Sequence, residues 1–272
     1  MDKDVAVVIG TGGMGQAIAR RIGSGRSVLL ADFDEAALTA VADRLRGEGH
    51  QISTRVVDVS DQDSVRSLAD AAAALGRVTH VAHTAGLSPM QATAEMILRV
   101  DLAGVAYVLD EFARVIAPGG AGVVIASMAG HMSGDYLAEH NRSLATTPAA
   151  ELLDLPFLSS DELAYPAVAY ALAKRANMLR VQAAAGAWGA RGARVNSISP
   201  GIISTPMGQQ ELDGESGESM RAMVRMSASQ RLGTPDDIAA ATAFLLDPQA
   251  GFITGTDLLV DGGVVAAARA LA

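Results

Sequence analysis

The sequence predicts an α/β fold: a doubly wound parallel sheet of about seven strands, with helices on both faces. Short apolar segments recur along the chain, and each is followed by a segment with helical periodicity. Several apolar segments are nearly unbroken by polar residues, which is typical of parallel strands buried on both faces. Strands that alternate with helices imply right-handed crossovers within one sheet. Because no internal repeat or linker interrupts the 272 residues, we expect one domain spanning residues 1–272.

The predicted strands are bounded by changes in polarity. In chain order they cover residues 5–10, 27–32, 53–59, 78–86, 121–127, 194–201 and 256–263. The helix predicted after the second strand, over residues 34–49, has an apolar stripe formed by Ala37, Leu38, Val41 and Leu45. Asp34 is placed to cap this helix, and Gly47 or Gly49 to end it.

Residues 132–165 interrupt the alternation between the fifth strand and the next long helix. A connection of this length is uncommon in a compact domain unless it has structure or function of its own. It contains Pro148 and Pro156 as helix breakers and is rich in acidic residues, and its second half predicts two short helices. Two interpretations stay open: a surface excursion, or a role in substrate access or assembly.

The composition excludes several classes of function. The net charge is −9 and no basic stretch is long enough to follow a phosphate backbone, so we expect no nucleic-acid partner. No apolar run reaches the ~18–20 residues that span a bilayer, and we expect neither a signal peptide nor a membrane partner. The absence of cysteine excludes disulfides and thiolate metal sites and fits a cytoplasmic location. We expect no metal site.

A glycine-rich segment joins the first strand to the first helix. Gly10, Gly12 and Gly15 match the pattern G-x-G-x-x-G, and Gly13 lies between the last two. Glycines let the backbone approach a diphosphate closely, and the free N–H groups of a helix N-terminus attract its charge. The pattern alone is also compatible with a simple tight turn.

Acidic residues at the ends of the next two strands favour a dinucleotide. Asp32 lies 22 residues beyond Gly10, where a carboxylate can accept both hydroxyls of an adenosine ribose. No Arg or Lys adjoins Asp32 to receive a 2′-phosphate, so we expect NAD as the cofactor. Asp34 could be the ribose acceptor instead, although it fits a helix cap better. Asp58 and Val59 suit the edge and face of the adenine, although a strand-end Asp is often only a turn former.

The segment "YALAK", residues 170–174, is the most specific indication of catalytic chemistry in the sequence. Tyr170 and Lys174 are four residues apart and share one helix face. An unperturbed tyrosine has a pKa of ~10, and a nearby ammonium or an oxidised nicotinamide lowers it. Tyr170 could then take a proton from an alcohol as hydride leaves, or donate one during reduction. On its own the spacing is also compatible with an exposed helix face.

Taken in order, these features resemble the short-chain dehydrogenase/reductase family, which has a Rossmann-type fold. The resemblance runs from Val5 to about Gly263 and also includes "HTAG" at 83–86, Ser127, "PGIISTP" at 200–206 and "VDGG" at 260–263. Within the family, the chain is similar to the branch of 3α-hydroxysteroid dehydrogenase/carbonyl reductases. That branch also carries an insertion before the Tyr-Lys helix.

The resemblance assigns roles by position. Ser127 would hold the substrate oxygen together with Tyr170, and Lys174 would also bind the nicotinamide ribose. The Ile203 backbone and the Thr205 hydroxyl would meet the nicotinamide carboxamide. The other cofactor contacts that the resemblance implies are Met14, Phe33, Thr84, Ala85, Gly86, Pro200 and Gly201.

Three positions depart from the family pattern. The glycine loop is one residue shorter, because only two residues separate Gly10 from Gly13. "HTAG" replaces Asn-Asn-Ala-Gly, which leaves His83 and Thr84 to hold the adjoining backbone. Asp101 replaces the asparagine of the usual catalytic tetrad, and we assign it the relay role while noting that its charge opposes phenolate formation. We expect His83 and His131 to be structural.

The resemblance implies an NAD-dependent oxidoreductase acting on the CH–OH group of a secondary alcohol, or on the matching ketone. Residues 207–230 would form a substrate lid, in which Met220, Met223 and Val224 share one stripe. No Arg or Lys is placed to hold a charged substrate, so we expect an uncharged one, steroid-sized or smaller. A protein that senses NAD(H) without turnover and an enoyl-thioester reductase are the alternatives. We also expect a homodimer or homotetramer, with the insertion covering or reshaping the Tyr-Lys helix face that most relatives use to pair.

Overall fold

One seven-stranded parallel sheet forms the centre of the molecule in the computed structural model, which describes residues 3–134 and 137–270. Its strands are β1 (Asp4–Ile9), β2 (Ser27–Asp32), β3 (Gln51–Val56), β4 (Arg77–His83), β5 (Ile116–Ile125), β6 (Arg194–Pro200) and β7 (Asp257–Val260). Their order across the sheet is β3-β2-β1-β4-β5-β6-β7, and every neighbouring pair is parallel. The predicted fold class is confirmed.

Helices connect the strands and cover both faces of the sheet. They are α1 (Gly13–Ile22), α2 (Glu35–Gly47), α3 (Gln62–Leu75), α4 (Ala94–Ile97), α5 (Gly104–Val115), α6 (Met128–Met132), α7 (Ala138–Thr146), α8 (Pro166–Ala190), α9 (Pro206–Asp213), α10 (Gly217–Met226), α11 (Pro235–Leu246) and α12 (Val264–Ala270). A π-helical turn, Leu98–Ala103, joins α4 to α5, and short 3₁₀ turns cover Ala149–Asp154, Pro156–Ser159, Asp161–Ala164 and Pro248–Ala250. One apolar core lies between the sheet and α3, α5 and α8, and a second lies between the sheet and α1, α2 and α11.

Local chemistry explains where two of these elements begin and end. The Asp34 carboxylate accepts hydrogen bonds from the backbone N–H groups of Ala36 and Ala37 at 2.9 and 3.0 Å, which makes it the cap of α2. β3 ends at Val56, three residues earlier than predicted, because the Asp58 carboxylate accepts from both the N–H and the hydroxyl of Ser60 and turns the chain. Val57 and Val59 are nevertheless buried beneath this turn.

The strand order reverses direction between β1 and β4. From β1 the chain proceeds to β2 and β3 on one side, and from β4 it proceeds to β5, β6 and β7 on the other. A crevice forms where such a reversal occurs at the carboxyl ends of parallel strands, and ligands of open α/β sheets bind there. The glycine-rich segment follows β1 directly, so it lies at this crevice.

The predicted insertion forms a packed layer over α8. Leu144 and the turns after α7 contribute buried leucines to a core shared with Leu172 and Ala173 of α8. Arg180 of α8 is buried and donates to the carbonyl oxygens of Leu144 and Thr147 at 3.0 Å each. A buried guanidinium therefore holds the backbone of this segment against α8. Residues 135 and 136 of the insertion lie outside the described residues.

Within residues 3–134 and 137–270, no helix has the length and apolar character required to traverse a bilayer. The same residues contain no group of three or more His, Asp or Glu side chains that could hold a metal ion.

Candidate active site

The glycine-rich segment makes a tight turn directly after β1. Gly10 has φ +95°, and a Cβ there would lie 2.5 Å from the Ala85 nitrogen. A Cβ on Gly15 would lie against the Gly10 carbonyl oxygen. Gly12 is different, because a Cβ there would meet nothing within 4 Å. Gly12 is also the N-cap of α1 and gives no side-chain cap, so the first N–H groups of that helix are left for a ligand.

The glycine cleft is a cavity of about 360 Å³ above this turn. It brings together most of the predicted cofactor residues: Gly10, Gly12, Asp32, Phe33, Asp58, Val59, Thr84, Ala85 and Gly86. Gly13 and Gly15 lie beneath it in the first turn of α1, and Gly13 faces Thr205. The Thr84 hydroxyl donates to the carbonyl oxygens of Ile9 and Gly10 at 3.1 and 2.9 Å. It therefore holds the glycine turn, as expected for this position.

Asp32 is fixed at one edge of the glycine cleft. Its Oδ2 accepts from the N–H and the hydroxyl of Thr11 at 2.6 and 2.7 Å, and its Oδ1 accepts from the Asp34 N–H at 3.1 Å. No Arg or Lys is among the described residues that line this cleft, and the neighbouring Phe33 is exposed. The cleft edge therefore carries one oriented carboxylate and no cation beside it.

A second cavity of about 260 Å³, the tyrosine cleft, adjoins the first at Met207. Predicted residues that line it are Met14, Ser127, Tyr170, Pro200, Gly201, Ile203 and Thr205. The predicted lid supplies Met220 and Met223 from α10, and also Glu211 from α9. Thr205 caps α9 by accepting from the Gly208 N–H at 3.0 Å.

Ser127 and Tyr170 line the tyrosine cleft from two elements, and the buried Lys174 lies beside Tyr170. Ser127 ends the segment after β5 and caps α6, because its Oγ accepts from the Ala129 N–H at 3.2 Å. On α8, the Lys174 ammonium lies 5.4 Å from the centre of the Tyr170 ring. The Ser127 hydroxyl lines the same cleft as the Tyr170 phenol and acts to lower the pKa of that phenol, which favours the phenolate.

The pKa of Tyr170 is raised above its ordinary value, contrary to the lowering that the Tyr-Lys spacing predicts. Burial is the main cause, and the negative charges of Asp101 and Glu211 act in the same direction. Lys174 and the Ser127 hydroxyl lower this pKa, but they do not outweigh burial. Tyr170 is therefore a neutral phenol at physiological pH, and the neutral phenol is the form that donates a proton.

Asp101 is fully buried and pairs with Lys174. It lies in the π-helical turn, where its Oδ1 accepts from the Leu87 N–H at 2.8 Å and its Oδ2 lies 3.2 Å from the Lys174 ammonium. Burial raises the pKa of Asp101, while Lys174 lowers it. The pKa of Lys174 is raised although burial lowers it, because Asp101 and Tyr170 favour the ammonium. Gly86 permits this close approach, since a Cβ there would lie 3.2 Å from both charged groups.

The family follows from this arrangement together with sequence comparison. A family model described as "short chain dehydrogenase" matches residues 4–139, and one described as "Enoyl-(Acyl carrier protein) reductase" matches residues 136–265. The chain is 41% identical over 267 residues to the "Short-chain dehydrogenase/reductase bsc3" of Alternaria brassicicola, covering 98% of this chain and 97% of that relative. The chain belongs to the short-chain dehydrogenase/reductase family.

Two further relatives agree with this assignment. The "3-alpha-hydroxysteroid dehydrogenase/carbonyl reductase" of Comamonas testosteroni is 30% identical over 243 residues, covering 83% of this chain and 91% of that relative. The "blue fluorescent protein from metagenomic library in complex with NADPH" has the same fold, with a TM-score of 0.76 at 23% identity over 97% of this chain and 98% of that one. Short-chain dehydrogenase/reductases bind a nicotinamide cofactor and act on small alcohols or ketones, and this chain is an oxidoreductase of that family.

His83 and His131, two of the five histidines of this short-chain dehydrogenase/reductase, lie outside both clefts. Burial lowers the pKa of His83 to about 3, so its ring is neutral at physiological pH, and neither ring nitrogen has a hydrogen-bond partner among the described residues. His131 lies with its Nε2 2.7 Å from the Asp257 carboxylate, which also accepts from the hydroxyls of Ser197 and Ser199. Their positions outside both clefts are compatible with the predicted structural role, but the expectation that the His83 side chain holds the adjoining backbone is wrong, because within the described residues its ring makes no hydrogen bond.

Three contributors to the site were not predicted from the sequence. Thr11 orients Asp32, Leu87 hydrogen-bonds Asp101, and Glu211 lines the tyrosine cleft. The helical spacing of Met207 and Glu211, four residues apart in the lid, could have indicated that the two share a face. Nothing in the local sequence distinguishes Leu87, because its contribution is a backbone N–H.

Proposed function

We propose that this protein is an NAD-dependent oxidoreductase that interconverts an uncharged secondary alcohol and a ketone. The observation that carries the proposal is the convergence of Ser127, Tyr170 and Lys174 beside a glycine cleft of suitable chemistry. A dinucleotide fits the residues present: the open space over Gly12 admits a diphosphate to the uncapped start of α1, and Asp32 can accept from a ribose. When bound, the nicotinamide supplies or accepts the hydride at the carbon that bears the oxygen.

The chain's own residues handle the substrate oxygen and its proton. Ser127 and Tyr170 hydrogen-bond the ketone oxygen, and as hydride reaches the carbonyl carbon the Tyr170 phenol gives its proton to that oxygen. The product is the alcohol, and Tyr170 is left as a phenolate that the Lys174 ammonium stabilises. Oxidation is the reverse, with the phenolate accepting the alcohol proton. Asp101 acts as a positioning residue here, because its carboxyl pairs with the buried Lys174 ammonium at 3.2 Å.

The assignment of NAD rests on Asp32. A 2′-phosphate on the ribose would meet a carboxylate that Thr11 and Asp34 hold in place, with no cation lining the cleft to offset the repulsion. We expect NADH to bind about 10-fold or more tightly than NADPH, as measured by titrating the nicotinamide fluorescence. Asp32→Asn should reduce this preference.

A neighbouring aspartate provides the matched control. Asp34 caps α2 through its side chain, so Asp34→Asn should leave the preference for NADH unchanged. Tighter binding of NADPH by the unmodified protein would contradict the assignment, and so would a preference that responds equally to both substitutions.

An uncharged substrate follows from the lining of the tyrosine cleft. Methionines 14, 90, 128, 207, 220 and 223 surround the site, and no Arg or Lys is among its described lining residues. Flexible thioether side chains adapt to apolar ligands of varied shape. The cleft volume of about 260 Å³ and the name of the relative from Comamonas testosteroni are compatible with a steroid-like substrate as well as smaller ones. The lid itself, residues 207–230, is part of this proposal.

Ser127, Tyr170 and Lys174 are proposed as the catalytic residues, with the first two touching substrate, and Asp101 is proposed to act through Lys174. The proposed cofactor contacts are those assigned from the sequence, from Gly10 to Thr205. A cytoplasmic location is also proposed on the absence of cysteine, and cell fractionation tests it.

We further propose a homodimer or homotetramer whose interface excludes the insertion-covered face of α8. The middle of that helix contributes Leu172, Ala173 and Ala176 to a core closed by the insertion, so two copies cannot pair there without displacing it. A solution mass by light scattering gives the size of the assembly, and a crystal structure locates its interface. Two bare α8 helices packed against each other would contradict this proposal.

A further inference from the structure

Glu211 places a carboxyl group in an otherwise apolar substrate cleft. It lies on α9, four residues after Met207, and lines the same cavity as Ser127 and Tyr170. Its negative charge acts on the reacting phenol, since it is one of the causes that raise the pKa of Tyr170. The carboxyl is therefore on the substrate side of the lid, close to the chemistry.

No basic side chain neutralises this carboxyl. Within the described residues, Glu211 has no Arg, Lys or His nitrogen within 4.0 Å, whereas Glu218 on α10 of the same lid pairs with Arg225 at 2.8 Å. Glu211 is half-buried, and burial raises its pKa. A carboxyl withdrawn from water costs free energy unless a donor hydrogen-bonds it.

Ser88 is a polar neighbour of this carboxyl. It is 1% exposed, its hydroxyl has no hydrogen-bond partner within the described residues, and it acts to lower the pKa of Glu211, which burial raises. Ser88 lies in the loop after β4, and Glu211 lies in the lid. The unpartnered Ser88 hydroxyl and the Glu211 carboxyl, which lines the substrate cavity, together offer a donor and an acceptor to one ligand group.

We propose that Glu211 and Ser88 recognise a second hydroxyl group of the substrate. The enzyme then acts on diols and hydroxyketones in preference to alcohols and ketones with a single oxygen. This inference rests on the proposed function, since it names the substrate class of the same site.

A hydroxyl fits this pair better than an ammonium group. The hydroxyl can donate to the Glu211 carboxylate and accept from the Ser88 hydroxyl at the same time. An ammonium can only donate, and it would lose its hydration in a cleft lined mainly by methionine. The substrate therefore carries its second polar group as a neutral donor and acceptor.

The test compares matched substrates. Initial rates with NAD are measured for cyclohexanol, for the 1,2-, 1,3- and 1,4-cyclohexanediols and for the corresponding aminocyclohexanols. We expect kcat/KM for the best diol to exceed that for cyclohexanol by about 10- to 100-fold, mostly through a lower KM. Glu211→Leu should bring that ratio close to one, and Ser88→Ala should lower it. Glu211→Gln should retain part of it, because the amide oxygen still accepts a hydrogen bond.

A control and a binding measurement separate the outcomes. Glu215 is exposed in the same lid, so Glu215→Gln should leave the ratio unchanged. NADH titration of each variant verifies that the fold and the glycine cleft are intact. Equal rates with cyclohexanol and every diol overturn the inference and leave the proposed function standing, and so does a preference that survives Glu211→Leu. A preference for an aminocyclohexanol overturns it in favour of a cationic substrate, and no oxidation of any alcohol overturns both.

Discussion

Replacement of Tyr170 by phenylalanine is expected to lower kcat by about 10²- to 10⁴-fold. The substitution removes the one group placed to exchange a proton with the substrate oxygen and leaves the ring and its packing in place. The dissociation constant for NADH should change by less than about threefold. Steady-state rates with an alcohol or ketone substrate, combined with a fluorescence titration of NADH, separate these two effects.

Tyr165 offers a control at the start of the same helix. It precedes α8 and is 68% exposed, so Tyr165→Phe removes a phenol that faces solvent. Its kcat should equal that of the unmodified protein. Turnover that survives Tyr170→Phe undiminished would remove Tyr170 from the mechanism, whatever the control shows.

Replacement of Lys174 by methionine is expected to reduce both activity and stability. The substitution leaves the fully buried Asp101 carboxylate without its counter-charge, which typically costs about 3–5 kcal/mol. Urea unfolding should show this loss in the free energy of unfolding. Turnover should also be lost, because the phenolate of Tyr170 is no longer stabilised.

The pH dependence and a double variant identify the cause of the stability loss in Lys174→Met. Burial raises the pKa of Asp101 in the folded protein, and loss of Lys174 removes the largest effect that opposes it, leaving the hydrogen bond from the Leu87 N–H. A carboxyl whose folded pKa is raised stabilises the fold below its unfolded pKa and loses that stabilisation as pH rises through the folded pKa. The Lys174→Met defect should therefore shrink as pH is lowered. Adding Asp101→Asn should restore most of the stability at neutral pH without restoring turnover.

A Lys174→Met protein as stable as the original would contradict the buried ion pair. A stability defect that persists unchanged at low pH, or in the double variant, would assign the loss to packing of the methionine instead.

The sheet could be predicted because its signals are local. Nearly continuous apolar runs marked β1, β2 and β6 to within one residue at either end, and Asp34 marked the start of α2. β5 was less predictable, since it begins at Ile116, five residues before the predicted start at residue 121. Its first residues pair with β4 through a register shift that Pro118 and the following glycines accommodate. Such irregular pairing has no signature in a periodic pattern.

Much of the site could be located from motif order, but its electrostatics could not. The sequence shows that Tyr170 and Lys174 share a helix face, and it does not show that burial, Asp101 and Glu211 together raise the pKa of Tyr170. The π-helical turn around Asp101 is set by tertiary packing, since nothing in "LRVDLA" breaks an α-helix. In the sequence, Glu211 is not distinguished from the other acidic residues of the lid, and only the position of α9 shows that it lines the cleft.

The second family description, an enoyl reductase, concerns a different reduction that uses the same type of cofactor. In this chain Tyr170 and Lys174 lie on adjacent turns of α8, and Ser127 adjoins the phenol. This arrangement favours a carbonyl oxygen that receives the proton directly. An enoyl thioester therefore belongs in any substrate panel as the competing reaction.

Hydride transfer itself is tested most directly with NADH carrying deuterium at C4 of the nicotinamide. The protein is incubated with this cofactor and a panel of ketones, hydroxyketones and one enoyl thioester, and the products are analysed by mass spectrometry. We expect deuterium at the carbinol carbon of an alcohol product, at a rate that Tyr170→Phe lowers by about 10²- to 10⁴-fold. Deuterium found only in a saturated thioester, or no transfer from NADH or NADPH although both bind, would contradict an alcohol–ketone oxidoreductase.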